Sequence, residues 1–379
     1  EEYFPMEDVK QTVSLNFEGA HFSQPKHEAF ECKSSNLTYS ASLWAKLSLH
    51  YKDGTIEESE NEVFMGDFPM MTDAGTFIIN GSERVIVSQI VRSPGAYISK
   101  TMDKSGKYIF GADIIPARGT WLEYESDVKD QLSVRIDKQR KVSSIVLLRA
   151  LGLCEDLDIY NLFGTNEILV DAVKKSPAAE ANGDIRNVIK SAVLEVYSKL
   201  RPGEPVSLVN ASSFIHQRFF DHRRYDLGPA GRFKLSKKLG IYNRLPNVIL
   251  AEDLISADGE IRFEKGQRLT KEDVNELMKE HFFENGAHVT TFNVNTDLDN
   301  HSVVNKVMVY TDDSMLKTTS VVGTDLNLSD VDHVTASDIV ACFSYFLNIM
   351  EGIGEVDDID HLGNRRVKCV GELIQGQFR

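Results

Sequence analysis

Between Val13 and Tyr51 apolar and polar residues alternate, as in VSLNF, LTYSASLW and KLSLHY. A period of two places every second side chain on one face of an extended strand, so this stretch reads as antiparallel strands rather than helix. A YKDG turn at Tyr51 to Gly54 follows. The pair Asn80-Gly81 separates FIING from ERVIVSQIV, and its backbone tolerates the positive φ angles of a two-residue hairpin. Two strands across a tight turn are predicted there. KYIFGADIIP, TWLEYE and LSVRID add further strands.

The period then changes. From Val142 to Leu153, Ile145, Leu148 and Ala150 to Leu153 make an apolar stripe at helical spacing, and Asp184 to Leu200 makes another, punctuated by Pro202 and Pro205. Val206 to Leu245 mixes helix with a basic, polar segment. Asn247 to Thr319 returns to short strands around one helix near Lys271 to His281, and a helix is predicted over Ala336 to Met350, capped by Thr335 or Ser337. Strands, helices, strands and helices, without strict βαβ alternation, specify an α+β fold. A chain of 379 residues has room for two or three domains. No Gly/Ser or Pro-rich linker divides it, so a domain inserted within another fits the sequence as well as two in tandem.

Composition excludes several classes. With 42% hydrophobic and 26% charged residues and only 10 prolines, the chain is neither disordered nor collagenous. No apolar run approaches the roughly 20 residues of a membrane span. EEYFPMEDVKQ has neither the basic end nor the apolar stretch of a signal peptide, so a soluble protein is expected. The formal charge of -15 argues against a free-standing nucleic-acid binder with a broad basic face, but leaves room for a local basic groove. Cys32, Cys154, Cys342 and Cys369 are scattered, with no C-x-x-C pair, which fits neither a zinc site nor a disulfide framework and points to a reducing, cytoplasmic compartment.

The densest polar cluster is GEVDDIDHLGNRR, which sets Glu355, Asp357, Asp358, Asp360 and His361 just before Arg365 and Arg366. Carboxylates and a histidine suit a hard cation. However, two arginines repel one, and Asp357, Asp358 and Asp360 cannot all point the same way in a helix or a strand. Asp360 with Arg365 suits a base edge better, because Arg grips guanine N7 and O6 while a carboxylate accepts from N–H groups. A solvated loop held by internal ion pairs is the competing reading. RFFDHRRYDLGPAGRFKLSKKL reverses the sign of the chain locally, with Arg218, Arg223, Arg224, Arg232, Lys234, Lys237 and Lys238 interleaved with Phe219, Phe220, Tyr225 and Phe233. Such a pattern suits single-stranded nucleic acid, although core aromatics beside a solvated cationic face would produce it too. Trp121 beside Arg118 is a further stacking candidate, or a core residue. No nucleophile elbow, phosphate-binding glycine loop or H-E-x-x-H motif is present.

FMGDFPMMTDAGTFIINGSERVIVSQIVRSPGAY (Phe64 to Tyr97) resembles the N-terminal part of the β subunit of bacterial DNA-directed RNA polymerase. The register continues through IIPARGTWLEYE, VRIDKQRKVSSIVLLRALG, LRPGEP, RFFDHRRYDLGPAGRFK and GEVDDIDHLGNRRVKCVGELIQGQFR, from about residue 12 to 379, and is most similar to the Gram-positive, Bacillus and Lactobacillus-like form. The family's subunit is much longer, so the resemblance implies a piece of it. It implies a discontinuous protrusion (β1), residues 1 to 81 plus 366 to 379, with a lobe (β2), residues 82 to 365, inserted within it. A lineage-variable insertion over about 252 to 330 is expected to be loose and the first place a protease cuts.

The resemblance also implies roles for particular residues. Arg92, Asp360 and Arg365 would bind a flipped-out guanine of the nontemplate DNA strand near the transcription start, with Asp137 beside the pocket and Trp121 stacking on the preceding base. Arg84, Val87 and Gln89 match positions bordering the rifamycin pocket. The family's catalytic magnesium is held by the β′ subunit, so no cofactor, metal or catalytic residue is expected in this chain. The implied partners are DNA and the β′, α and sigma subunits, in a cytoplasmic, nucleoid-associated nucleotidyltransferase, with no membrane. The turn at His50 to Gly54 departs from the patch where transcription-repair coupling factor docks in some members, which puts that partner in doubt. The rival expectation is a scaffold that docks sigma factor or transcription regulators.

Overall fold

A computed structural model describes residues 4–8, 10–58, 62–176, 185–284 and 286–378. Asp184 and the outermost residues of both chain ends, which the expected boundaries include, lie outside them. The fold is α+β, with antiparallel sheets and two groups of helices. It divides into two compact units, Glu1–Val91 with Arg366–Arg379, and Arg92–Arg365. Among the described residues no helix is long and apolar enough to cross a membrane.

The first unit is organised by the alternating stretch. Val13–Phe22 and the long strand Ser40–Tyr51 pair antiparallel, Met6–Glu7 extends one edge, and Ile56–Glu58 and Val63–Pro69 pair with successive parts of the long strand's other edge. The register slips between Phe17 and Gly19, and the Glu18 side chain accepts a 2.5 Å hydrogen bond from Ser48 Oγ there. Phe77–Ile79 and Ser82–Arg84 form the predicted hairpin, with Asn80 at φ 51° and Gly81 at φ 80°. Gly81 is needed twice over, since a Cβ there would also lie 2.8 Å from the Asn36 Cα. ERVIVSQIV is not one strand, however. It breaks after Arg84 and resumes as Gln89–Arg92, whose partner is the distant strand Arg365–Lys368.

The second unit opens with a sequential five-stranded meander, Gly95–Met102, Tyr108–Ile115, Leu122–Ser126, Leu132–Ile136 and Val142–Ser143. Its inward face, including Ile98, Ala112, Ile114, Leu122, Tyr124 and Val134, is buried. The predicted helix at Val142 starts later, as Ser144–Leu151, because Val142 still pairs with Val134. Ile185–Leu200, Leu208–Phe219 and Gly228–Leu239 follow among the helices. The helix Ala336–Met350 is buried on nearly every side, and its Phe343 and Phe346 pack on Tyr124 at ring separations of 5.4 and 5.9 Å. Thr335 caps it through a capping box with Asp338, while Ser337 Oγ instead donates to the Val303 carbonyl.

The 252 to 330 stretch is not loose. Val303–Tyr310 pairs with Ile249–Leu250, Val289–Thr291 and Thr318–Thr324, and Lys271–Lys279 packs beside them. Leu254, Leu269, Val274, Leu277, Phe282, Phe283, Val307, Val309 and Val321 share a second buried core with Tyr242 and Leu245. Burial on that scale protects the backbone, so early cleavage there is no longer expected.

Candidate nucleic-acid interface

All five residues expected at a base pocket lie in the second unit. Arg92 and Arg365 lie on paired strands, and next to them the Ser93 N–H donates to the Asn364 carbonyl at 2.9 Å. Arg365 Nη1 reaches Asp360 Oδ1 at 3.4 Å, and the Asp360 side chain is 89% exposed. Its loop is self-supporting. Asp358 Oδ1 accepts from the Asp360 N–H, His361 Nδ1 accepts from the Gly363 N–H, and Asn364 Nδ2 donates to the Asp358 carbonyl. Asp357 anchors it by exchanging hydrogen bonds with the Ile98 backbone and pairing with Lys238 at 2.8 Å, while Lys234 Nζ holds the Gly363 carbonyl. The carboxylates of this loop are therefore dispersed to separate partners. They form no metal-ligating group among the described residues.

Arg92 is also drawn toward the sheet. Its Nη1 lies 3.6 Å from Asp113 Oδ2, and its guanidinium sits 5.8 Å from the centre of the Tyr97 ring. Burial pushes the Asp113 carboxyl up to about 6, Glu123 directly across the strand pair adds to the rise, and Arg92 opposes it. The same strand pair leads to Trp121, which immediately precedes Leu122–Ser126 and accepts at its carbonyl from the Asp137 N–H at 2.9 Å. Asp137 and Lys138 turn the chain with φ of 54° and 60°, and Lys138 Nζ comes 5.7 Å from the Trp121 ring centre.

The structure thus forms two pairs, Arg365 with Asp360 and Trp121 with Asp137, and sets Arg92 on the strand paired to that of Arg365. They are linked through Asp113 and one antiparallel strand pair.

Beside Trp121 the structure adds residues that the sequence reading did not connect. Arg218 pairs with Asp137 at 2.8 Å and, like Arg201, lies 5.1 Å from the Phe214 ring centre. With Thr120, Gln217 and Arg224 these residues line a cleft of about 390 Å³. A larger cleft of about 650 Å³ is lined by Lys234, Lys237, Lys238, Lys271 and Arg244, against Glu355 and Asp357. These are the local basic grooves of an acidic chain.

The interleaved aromatics behave otherwise. Phe219, Phe220 and Tyr225 are core residues, unavailable to bases, and Arg232 is buried in an ion pair with Asp338 at 2.8 Å. Only Phe233 of that set is exposed, with Lys237 Nζ 6.0 Å from its ring centre. Arg84, Val87 and Gln89 lie in the first unit and are all exposed.

Residues 92–277 and 320–368 match the family model described as RNA polymerase Rpb2, domain 2. The match passes over 278–319, inside the stretch expected to vary. The chain is 45% identical to the DNA-directed RNA polymerase subunit beta of Geobacillus thermodenitrificans, an alignment that takes in 100% of this chain and 31% of that protein. The corresponding subunits of Staphylococcus saprophyticus and Macrococcus caseolyticus are 46% and 45% identical over 99% of the chain and again 31% of their own length. The chain therefore spans about a third of the length of the curated relatives it matches. With the family model covering well over half of its residues, the sheet and helices that carry Arg92, Trp121, Asp137, Asp360 and Arg365 belong to the RNA polymerase Rpb2, domain 2 family.

Proposed function

We propose that this chain is a DNA-positioning part of the β subunit of a bacterial DNA-directed RNA polymerase, its second unit a lobe inserted in a protrusion formed by the first. The lobe holds a nontemplate-strand base between Arg92, Arg365 and Asp360, with Trp121 stacking on the neighbouring base and Asp137 positioning Arg218 beside it. Its catalytic partners are the other polymerase subunits. The observation that carries this reading is the Arg365–Asp360 pair, which sets a guanidinium group beside a carboxylate open to solvent, with Arg92 on the adjacent strand. A guanine offers N7 and O6 to an arginine and N1–H and N2–H₂ to a carboxylate, so this set distinguishes it from the other bases.

The test uses assembled polymerase whose β subunit carries this sequence, on promoters differing only at the nontemplate base in the pocket. Asp360→Ala should cost about 1 to 3 kcal/mol of base preference, read as open-complex lifetime. Trp121→Ala should weaken stacking by roughly 1 to 3 kcal/mol whichever base is present. If Asp360→Ala shortens lifetimes equally for all four bases, the carboxylate holds the loop and reads nothing. Unchanged lifetimes with loss of sigma or regulator binding would favour a docking scaffold instead.

A further inference from the structure

Asp299, His301 and His333 lie far from the residues considered above in sequence, and their ligand atoms come within 4.8 Å of one another. Asp299 is buried. Its Oδ1 accepts from the Asn300 N–H at 2.8 Å and lies 2.7 Å from His301 Nδ1, while Oδ2 accepts from the Ala336 N–H at 2.6 Å. The two imidazoles approach edge to face, with ring centres 6.1 Å apart.

We infer that these three side chains form a site for one divalent transition-metal ion, with zinc the ion their chemistry suits best. Two imidazole nitrogens and one carboxylate oxygen are a borderline donor set, whereas calcium and magnesium take shells of oxygen. Zinc bonds of about 2.0 to 2.2 Å place tetrahedral ligands roughly 3.3 Å apart. The ion takes the place of the proton between Asp299 and His301, opening that contact slightly. That proton moves to His301 Nε2, so the imidazole stays neutral, and His333 closes the third position while water fills the fourth.

The scaffold is rigid where such a site needs it to be. Asn295 accepts at its carbonyl from the Asp299 N–H, and is itself tied to the Leu151 and Ala150 carbonyls through its N–H and its Nδ2. The His333 carbonyl is held by Arg232, two residues before the capped start of Ala336–Met350. Five charged or titratable groups gather here, the Asp299, His301 and His333 side chains and the two members of the Arg232–Asp338 ion pair. That pair is internally neutralised, so an entering cation meets no uncompensated guanidinium. A bound ion would staple the segment leading into strand Val303–Tyr310 to the N-terminus of the central helix.

The experiment uses the 379-residue chain without a histidine tag. Zinc is titrated against a chromogenic chelator, and cobalt is used as a spectroscopic probe of tetrahedral coordination. One zinc per chain is expected, together with the visible bands of tetrahedral cobalt. His301→Gln and His333→Gln should each weaken binding by roughly tenfold to a hundredfold or more. Neither imidazole caps a helix, and circular dichroism in chelator should match wild type for both; if one fails to fold, the other decides. His281→Gln, which removes an exposed imidazole elsewhere, should bind as wild type. Failure of the chain to retain zinc against the chelator would overturn the assignment. So would wild-type affinity in a folded His301→Gln or His333→Gln variant.

Discussion

Asp113 offers a direct test of how the sheet restrains Arg92. The perturbation is Asp113→Asn, which keeps the shape of the side chain and removes its charge. Only 19% of the Asp113 side chain is exposed, Glu123 faces it across the strand pair, and the Arg92 guanidinium at 3.6 Å compensates incompletely. The folded chain therefore holds this proton up to about pH 6, whereas the unfolded chain releases it near 3.8. Because the folded value is the higher one, stability is lost as pH rises through that window. The gap corresponds to about 3 kcal/mol once both states are ionised. The substituted amide cannot ionise, so the variant should match wild type within about 0.5 kcal/mol at pH 4 and exceed it by about 3 kcal/mol at pH 8. Trp44 and Trp121 are the only tryptophans, one in each unit, so a Trp44→Phe background makes Trp121 fluorescence report the second unit alone in urea titrations. If variant and wild type lose stability in parallel between pH 4 and 8, the carboxylate is not desolvated and the account of Arg92 fails with it.

Removing one partner of the buried Arg232–Asp338 pair by Asp338→Ala should destabilise the second unit by about 3 to 5 kcal/mol in the same titration, since it strands a guanidinium and uncaps the central helix. Gly81→Ala should cost about 1 to 3 kcal/mol in the first unit, followed by Trp44 fluorescence in a Trp121→Phe background, because a left-handed residue must also clear the Asn36 backbone. A thiol reagent should modify Cys369 alone in the native chain, because Cys32, Cys154 and Cys342 are buried and burial raises the thiol pKa of Cys154 to about 11; mass spectrometry showing a second rapid adduct would contradict this.

Local chemistry is legible in the sequence and distant pairing is not. The alternation from Val13, the Asn80-Gly81 turn and the Thr335 cap depend on neighbours a few residues away, and all three appear where the pattern placed them. ERVIVSQIV reads as one strand because nothing local shows that Gln89–Arg92 pairs with Arg365–Lys368. The 252 to 330 stretch is expected to be loose because it follows the family pattern only weakly, and its core is hidden from a local reading because each short element gives only a few apolar residues, Leu254 from one, Leu269 from another, Phe282 and Phe283 from a third. At the candidate site, Asp360 and Arg365 are close enough in sequence to be read together. The approach of Arg218 to Asp137 and the restraint of Arg92 by Asp113 exist only after the helices and strands have packed.

The pairing of Gln89–Arg92 with Arg365–Lys368 has a bearing on biosynthesis. The first unit cannot form all its contacts when the strands before Arg92 leave the ribosome, because the segment after Arg365, which brings Phe378 to within 5.0 Å of the Phe68 ring centre, is translated after the whole of Arg92–Arg365. Drawing together the ends of an unstructured loop of that length would cost about 5 kcal/mol. Once the second unit has folded, the Ser93 to Asn364 hydrogen bond already holds those ends side by side, and the cost has been met by its own packing. The order of assembly is thereby fixed by topology: a second unit that stalls leaves strand Gln89–Arg92 without its partner and Phe68 without Phe378, an unpaired edge beside exposed apolar surface that is prone to aggregate.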